Sequence, residues 1–269
     1  MEEENYTVTQ NEPEEELDFF SKVTGVFSSP SATFGSMAKF KLRASDYLLP
    51  IIIFIIGALL ANYLMMNNPT IHDEMMNKQK EQIKKSMDEQ VQKGKMSQKE
   101  ADSQMEKINE SMDQTGSTQM IFAMIGIVFG SVIYFVIIAF FFMLIARYAL
   151  GGTGTYTASM IAYSMPAYIA FIQTIIVLLI SITTDKMITG IHLAYFLNID
   201  TQTVTGGILS KFDPFSIWYW YAISVGYAKL FKSENTKKYV ITIMGIWLAF
   251  GILMVVASQY ISFLKWFIR

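Results

Sequence analysis

The chain has no cysteine and only two histidines in 269 residues. The lack of cysteine excludes a disulfide framework, a thiolate nucleophile and a thiolate metal site. His72 and His192 stand far apart and form no metal-ligand pattern. Charge is also scarce. Only 16% of residues are Asp, Glu, Lys or Arg, and they crowd into residues 2–43, 72–113 and 229–238. The net charge of -2 includes no basic tract, so a nucleic-acid partner is not expected. The N-terminus, MEEENYTVTQNEPEEELD, lacks the basic region and early apolar core of a cleavable signal peptide. The first apolar span is therefore expected to serve as its own insertion signal.

What the chain does have is long apolar runs. The run from Met120 to Ile182 holds two of them, joined by RYALGGTGTY. Each exceeds the roughly 20 apolar residues that cross a bilayer as a helix. A connection so short and glycine-rich makes the pair a transmembrane hairpin, turning at Gly151, Gly152 and Gly154. GGTGT shares glycines with a phosphate loop but lacks the following Lys-Ser/Thr.

The expected fold is all-α: a five-helix transmembrane bundle with an extramembrane helical hairpin between the first and second spans. Residues 1–18 read as a disordered acidic tail. Residues 19–46 read as an amphipathic segment, with Phe19, Phe20, Val23, Val26 and Phe27 at helical spacing. It either lies in the headgroup region or packs on the end of the bundle. The spans are placed at 47–66, 118–147, 155–183, 213–231 and 238–264. Pro50 is tolerated near the start of the first. Trp218, Tyr219, Trp220 and Tyr221 form an aromatic belt in the fourth. Segment 184–212 is apolar in part but too short to span; it lies on the outer interface or dips into the bundle.

Residues 67–117 read as a helical hairpin. Its first helix ends at Gly94. Ser97 and Glu100 then form a capping box that starts the second. Its narrow methionine-bearing stripes either pair the two helices or offer an adaptable contact surface. With the N-terminus cytoplasmic, nine lysines and arginines fall in short inside segments. Seven count on the outside. The charge rule thus favours a cytoplasmic N-terminus, an extracytoplasmic hairpin and an outer C-terminus.

Small residues recur within the spans. Gly126 and Gly130 in the second, and Gly245 and Ala249 in the fifth, are expected to pack on neighbouring helices. Ala158, Ala162, Pro166 and Ala170 do the same in the third. Pro166 removes a backbone donor and kinks that span. Gln173 is the most polar group near mid-membrane. It either fixes register through an interhelical hydrogen bond or, with Tyr163 and Tyr134, lines a solute path. No Asp, Glu, Lys, Arg or His lies in the middle third of any span. Proton- and ion-coupled carriers usually need one. Paired aspartates, a Ser/His pair and HExxH are all missing, so no catalytic residue, metal site or cofactor is expected.

Three stretches resemble the Yip-domain family of Ypt/Rab-interacting, five-span membrane proteins. They are ALGGTGTYTASMIAYSMPAYI, VFSSPSATF before the first span, and FDPFSIWYWYAISVGYAKLF before a lysine-rich turn. The resemblance covers roughly residues 19–265. It implies a cytosolic N-terminus, five spans and no established chemistry. The Asp-Leu-Tyr-Gly-Pro stretch of eukaryotic members is missing, and the loop at 67–117 is similar to the bacterial and archaeal branch. Rab binding is not carried over. The chain is thus expected to be a non-enzymatic protein of a prokaryotic cytoplasmic membrane. It would act through the lipid bilayer and a membrane-protein partner or a second copy, in membrane organisation or as an accessory subunit. The alternative is a small-solute permease or transporter subunit.

Overall fold

A computed structural model describes residues 15–114 and 116–260. These residues form helices and connections, with no strand among them. Part of the expected acidic tail and the end of the last expected span lie outside the described residues.

Two short helices open the described chain. α1 (Phe19–Ser28) is capped by Asp18, whose carboxylate accepts from the Ser21 N–H at 2.6 Å. α2 (Pro30–Met37) starts at Pro30, where the missing N–H is no loss. Val26 and Phe34 are fully buried, and α2 packs on a helix of the bundle. The segment is therefore built into the protein, because its apolar side chains fill a space between helices.

Four helical stretches are long and apolar enough to cross a membrane: Ser45–Met66, Ile121–Ala149, Tyr156–Thr184 and Thr236–Tyr260. The first is α3 (Ser45–Met66). It leads into a helical hairpin, α4 (Pro69–Gln92) and α5 (Gln98–Gln114). Gly94, at φ 67°, turns the chain out of α4. The Ser97 N–H donates to Glu100 at 2.9 Å and the Glu100 N–H to the Ser97 hydroxyl at 3.2 Å. These reciprocal bonds satisfy two orphan donors at the start of α5. Met87 and Ala101 are buried where the two helices meet.

α6 (Gly116–Leu144) ends in a π-helical turn, Ile145–Ala149. The next span is broken in two at Met165–Pro166, giving α7 (Tyr156–Ser164) and α8 (Ala167–Thr184). Proline cannot supply the hydrogen bond that would continue the helix. Segment 185–212 holds only α9 (Leu193–Phe196) and α10 (Val204–Leu209). α11 (Pro214–Leu230) follows, then α12 (Thr236–Tyr260). α11 has 17 residues, about 25 Å at 1.5 Å per residue. That is short of a ~30 Å hydrocarbon core. The sequence places a span here; the helix itself falls below the length of the other four stretches.

α7 and α11 form the centre. Residues Ala158 to Ile169 are all buried, as are Ala222 to Ala228. At Gly226 an added Cβ would sit 3.1 Å from the Phe34 ring and 3.2 Å from the Ala162 Cα. Glycine there lets α2, α7 and α11 meet at backbone distance. The largest fully buried side chains are Tyr163, Tyr227, Tyr239, Phe34 and Phe231.

Candidate functional site

Hydrogen bonds between helices hold this aromatic core. The Ser159 hydroxyl donates to the Ala139 carbonyl at 2.6 Å and lies 2.7 Å from the Tyr227 hydroxyl. Tyr239 donates to the Ala146 carbonyl at 3.2 Å. These are side chain-to-backbone ties of the kind that fix helix register in lipid.

The turn between α6 and α7 is shaped by its glycines. Gly151 adopts φ 78°, a left-handed conformation that glycine reaches without strain. The Gly152 N–H donates to Ala146 at 2.8 Å. Gly152 and Gly154 both lie against Phe231, so a side chain at either position would collide with it. The turn is thereby seated on the end of α11.

Gln173 makes an interhelical bond. Its amide donates to the carboxylate of Asp213 at the start of α11. Asp213 also accepts from the Ser216 hydroxyl at 2.7 Å and the Phe215 N–H at 2.9 Å. It is only 3% exposed. The pairing is invisible in the sequence, where the two residues lie 40 positions apart. The available signal was the Asp-Pro pair, an N-cap followed by proline at the first helical position.

Beside this pair runs a cleft of about 500 Å³ between α3, α6, α8 and α11. Phe54, Phe135 and Trp220 supply aromatic walls; Ser131, Tyr134, Gln173, Ser216 and Tyr219 supply polar groups. Tyr163 stands behind the cleft, with ring centroids 6.3 Å from Tyr134 and 6.4 Å from Tyr219. Its buried hydroxyl lies near those of Tyr134 and Tyr219. The structure thus brings Tyr134, Tyr163 and Gln173 to one place, while Pro166 sits at the break between α7 and α8.

The small-residue faces behave differently. Among the described residues, no neighbouring element comes within 4 Å of a Cβ added at Gly126, Gly130 or Gly245. Ala249 is exposed. Among the described residues, the tight packing expected of these four is not made. Spacing defines a small face but not the direction in which it points. Close packing is made instead at Gly226 and at the turn.

A second cleft, of about 330 Å³, lies where α1 meets α3. Lys22 pairs with Asp46 at 2.9 Å and Glu16 at 3.3 Å. Arg43 pairs with Glu16 at 2.6 Å. Leu49, Met165 and Tyr168 line its apolar part. The network ties α1 to the start of α3, and sequence reasoning did not anticipate it.

At the other end of the bundle, Asn68 donates to Asp185 at 2.9 Å and the Met187 N–H to Glu74 at 2.8 Å. The base of α4 is thus fastened to the end of α8. His192 caps α9, its Nδ1 accepting from the Tyr195 N–H at 3.1 Å. Burial holds this imidazole below its ordinary 6.5, against the opposing pull of Asp213. Among the described residues no group of three or more His, Asp or Glu could hold a metal ion.

The family model described as the Yip1 domain matches residues 24–257. No curated protein and no solved structure matches the chain.

Proposed function

The chain belongs to the Yip1-domain family, and from that premise we propose that it is a non-enzymatic membrane protein acting through protein or lipid contacts. The family and the apolar helices make it a multi-spanning integral membrane protein. The finer reading is a contact role, in membrane organisation or as an accessory subunit. One observation carries it. Gly126 and Gly130 on α6, and Gly245 and Ala249 on α12, are exposed, and among the described residues nothing packs on the three glycines. In lipid, such faces let a partner backbone approach closely. The partner is another membrane protein or a second copy.

We assign α11 as a fifth span, the α4–α5 hairpin to the extracytoplasmic side, and the N-terminus to the cytoplasm of a prokaryotic cell. The lysine-rich segment at 229–238 supports that orientation. The absence of native cysteine makes it directly testable. In intact cells an impermeant maleimide should label Lys95→Cys and spare Glu234→Cys; the reverse pattern overturns the topology. The contact role is tested by crosslinking followed by isolation in mild detergent. A discrete complex is expected, and Gly126→Leu with Gly130→Leu should weaken it. A lone monomer from every membrane context overturns the reading.

The cleft beside Gln173 favours a second reading, a small-solute permease. Solute flux in proteoliposomes that Gln173→Leu abolishes would establish it in place of the first.

A further inference from the structure

We propose that the cleft between α3, α6, α8 and α11 holds one molecule of a neutral hydroxyl-bearing lipid, of the diacylglycerol or long-chain alcohol class. The inference rests on the contact reading above and specifies its lipid component.

Size comes first. The cleft's volume is about 500 Å³, within the roughly 300–1,000 Å³ of small-molecule sites. Its opening comes second. Gly130 on its wall is exposed. Phe129 and Ile133 beside it are 64% and 55% exposed. On a stretch apolar enough to span a membrane, such a rim faces lipid rather than water. An acyl chain can enter there and lie against the aromatic walls.

The polar groups select the head. Tyr134, Ser216 and Tyr219 line the cleft with Gln173, and Tyr163 packs behind them, outside its lining. Gln173 gives one N–H to Asp213 and retains a second N–H and its carbonyl oxygen. A ligand hydroxyl or ester carbonyl would complete this set. No lysine or arginine lines the cleft, and the Asp213 carboxylate is already met by three donors. A phosphate head finds no cation here, and burying one unpaired is strongly unfavourable. The occupant is therefore neutral.

The test uses the full chain in phosphatidylcholine nanodiscs. Two photoactivatable probes carry the same diazirine-labelled acyl chain, one on diacylglycerol and one on phosphatidylcholine. Labelled peptides are located by mass spectrometry. The diacylglycerol probe should label the walls around Tyr134 and Tyr219 in preference to the phosphatidylcholine probe. Gly130→Phe should plug the cleft and cut that labelling to the level of the phosphatidylcholine probe. Ile241→Phe, on an exposed face of α12 and outside the cleft, should leave it unchanged. Both sites are exposed, and a Cβ at Gly130 meets no neighbour within 4 Å, so both variants should fold. Wall labelling that is absent, equal for the two probes, or unaffected by Gly130→Phe overturns the proposal. Recovery of a partner complex alongside such a result leaves the contact reading standing without the lipid site.

Discussion

Ser159 and Tyr227 offer a sharp test of how the centre of the bundle is held. The Ser159 hydroxyl has one proton and donates it to the Ala139 carbonyl at 2.6 Å. Tyr227 must then be the donor across the 2.7 Å contact between the two hydroxyls. Tyr227 also reaches Ala139, but at a long 3.3 Å. Tyr227→Phe removes one donor and leaves Ser159 bonded to Ala139, costing about 0.6 kcal/mol, the average for such bonds in membranes. Ser159→Ala removes both short bonds and leaves a buried phenol with only the long contact. Its cost should approach the upper end, about 1.7 kcal/mol. In the Ser159→Ala background the phenol has little left to lose, so Tyr227→Phe should be nearly neutral there. The double variant should thus cost about as much as Ser159→Ala alone, a coupling of about 0.6 kcal/mol. Reversible unfolding in bicelles by steric trapping, on all four proteins, measures the cycle. Additivity within about 0.3 kcal/mol, or a larger loss for Tyr227→Phe than for Ser159→Ala, would refute the assignment of donors.

Three further outcomes are expected. Gly154→Ala would place a Cβ 2.5 Å from the Phe231 ring; overpacking of about 1–3 kcal/mol should lower the melting temperature in detergent, and Phe231→Leu should restore part of it. His192 is held below 6.5 by burial, so the folded state favours the neutral ring. Its stabilising effect is complete above pH 6.5 and declines as pH falls below that value, when the unfolded chain binds the proton first. Protonation also removes the Nδ1 acceptor that caps α9. Protection from hydrogen exchange at 193–197, corrected for the intrinsic rate, should fall between pH 7.5 and 5.5, and His192→Asn, which keeps a capping oxygen, should abolish the change. Ser97→Ala removes the hydroxyl that accepts from the Glu100 N–H and donates to its carboxylate, and should speed exchange at the start of α5 while leaving the membrane helices untouched.

Local chemistry made part of this structure legible. The Ser97–Glu100 box and the glycine at 94 need only their own few residues, and the chain stops and restarts a helix there. The glycines of the α6–α7 connection likewise declare a tight turn. What stayed hidden depends on partners distant in sequence. Small residues at 126, 130, 245 and 249 mark a face, but only the bundle decides that the face points outward. The amphipathic start left two placements open because burial of Phe34 requires Gly226, far along the chain. Gln173 was legible as the deepest polar group, whereas its carboxylate partner looked like an ordinary span end.

That carboxylate also accounts for the shortness of α11. α10 and α11 both pack on α12. Gly207 lies against Val255 and Lys211 against Gly251. Further along, the Trp220 and Trp247 rings stack at 5.7 Å. The chain from Val204 to Leu230 therefore follows α12 in two helical pieces rather than one. The break between them, at Ser210–Asp213, frees N–H groups that apolar surroundings cannot satisfy. Asp213 takes the Phe215 N–H, and Gln173 and Ser216 steady the carboxylate. A continuous helix would need none of these groups. Their presence at the break explains why the most polar residue of α8 faces this level of the bundle. It also explains how a cleft with a polar floor comes to lie among apolar helices.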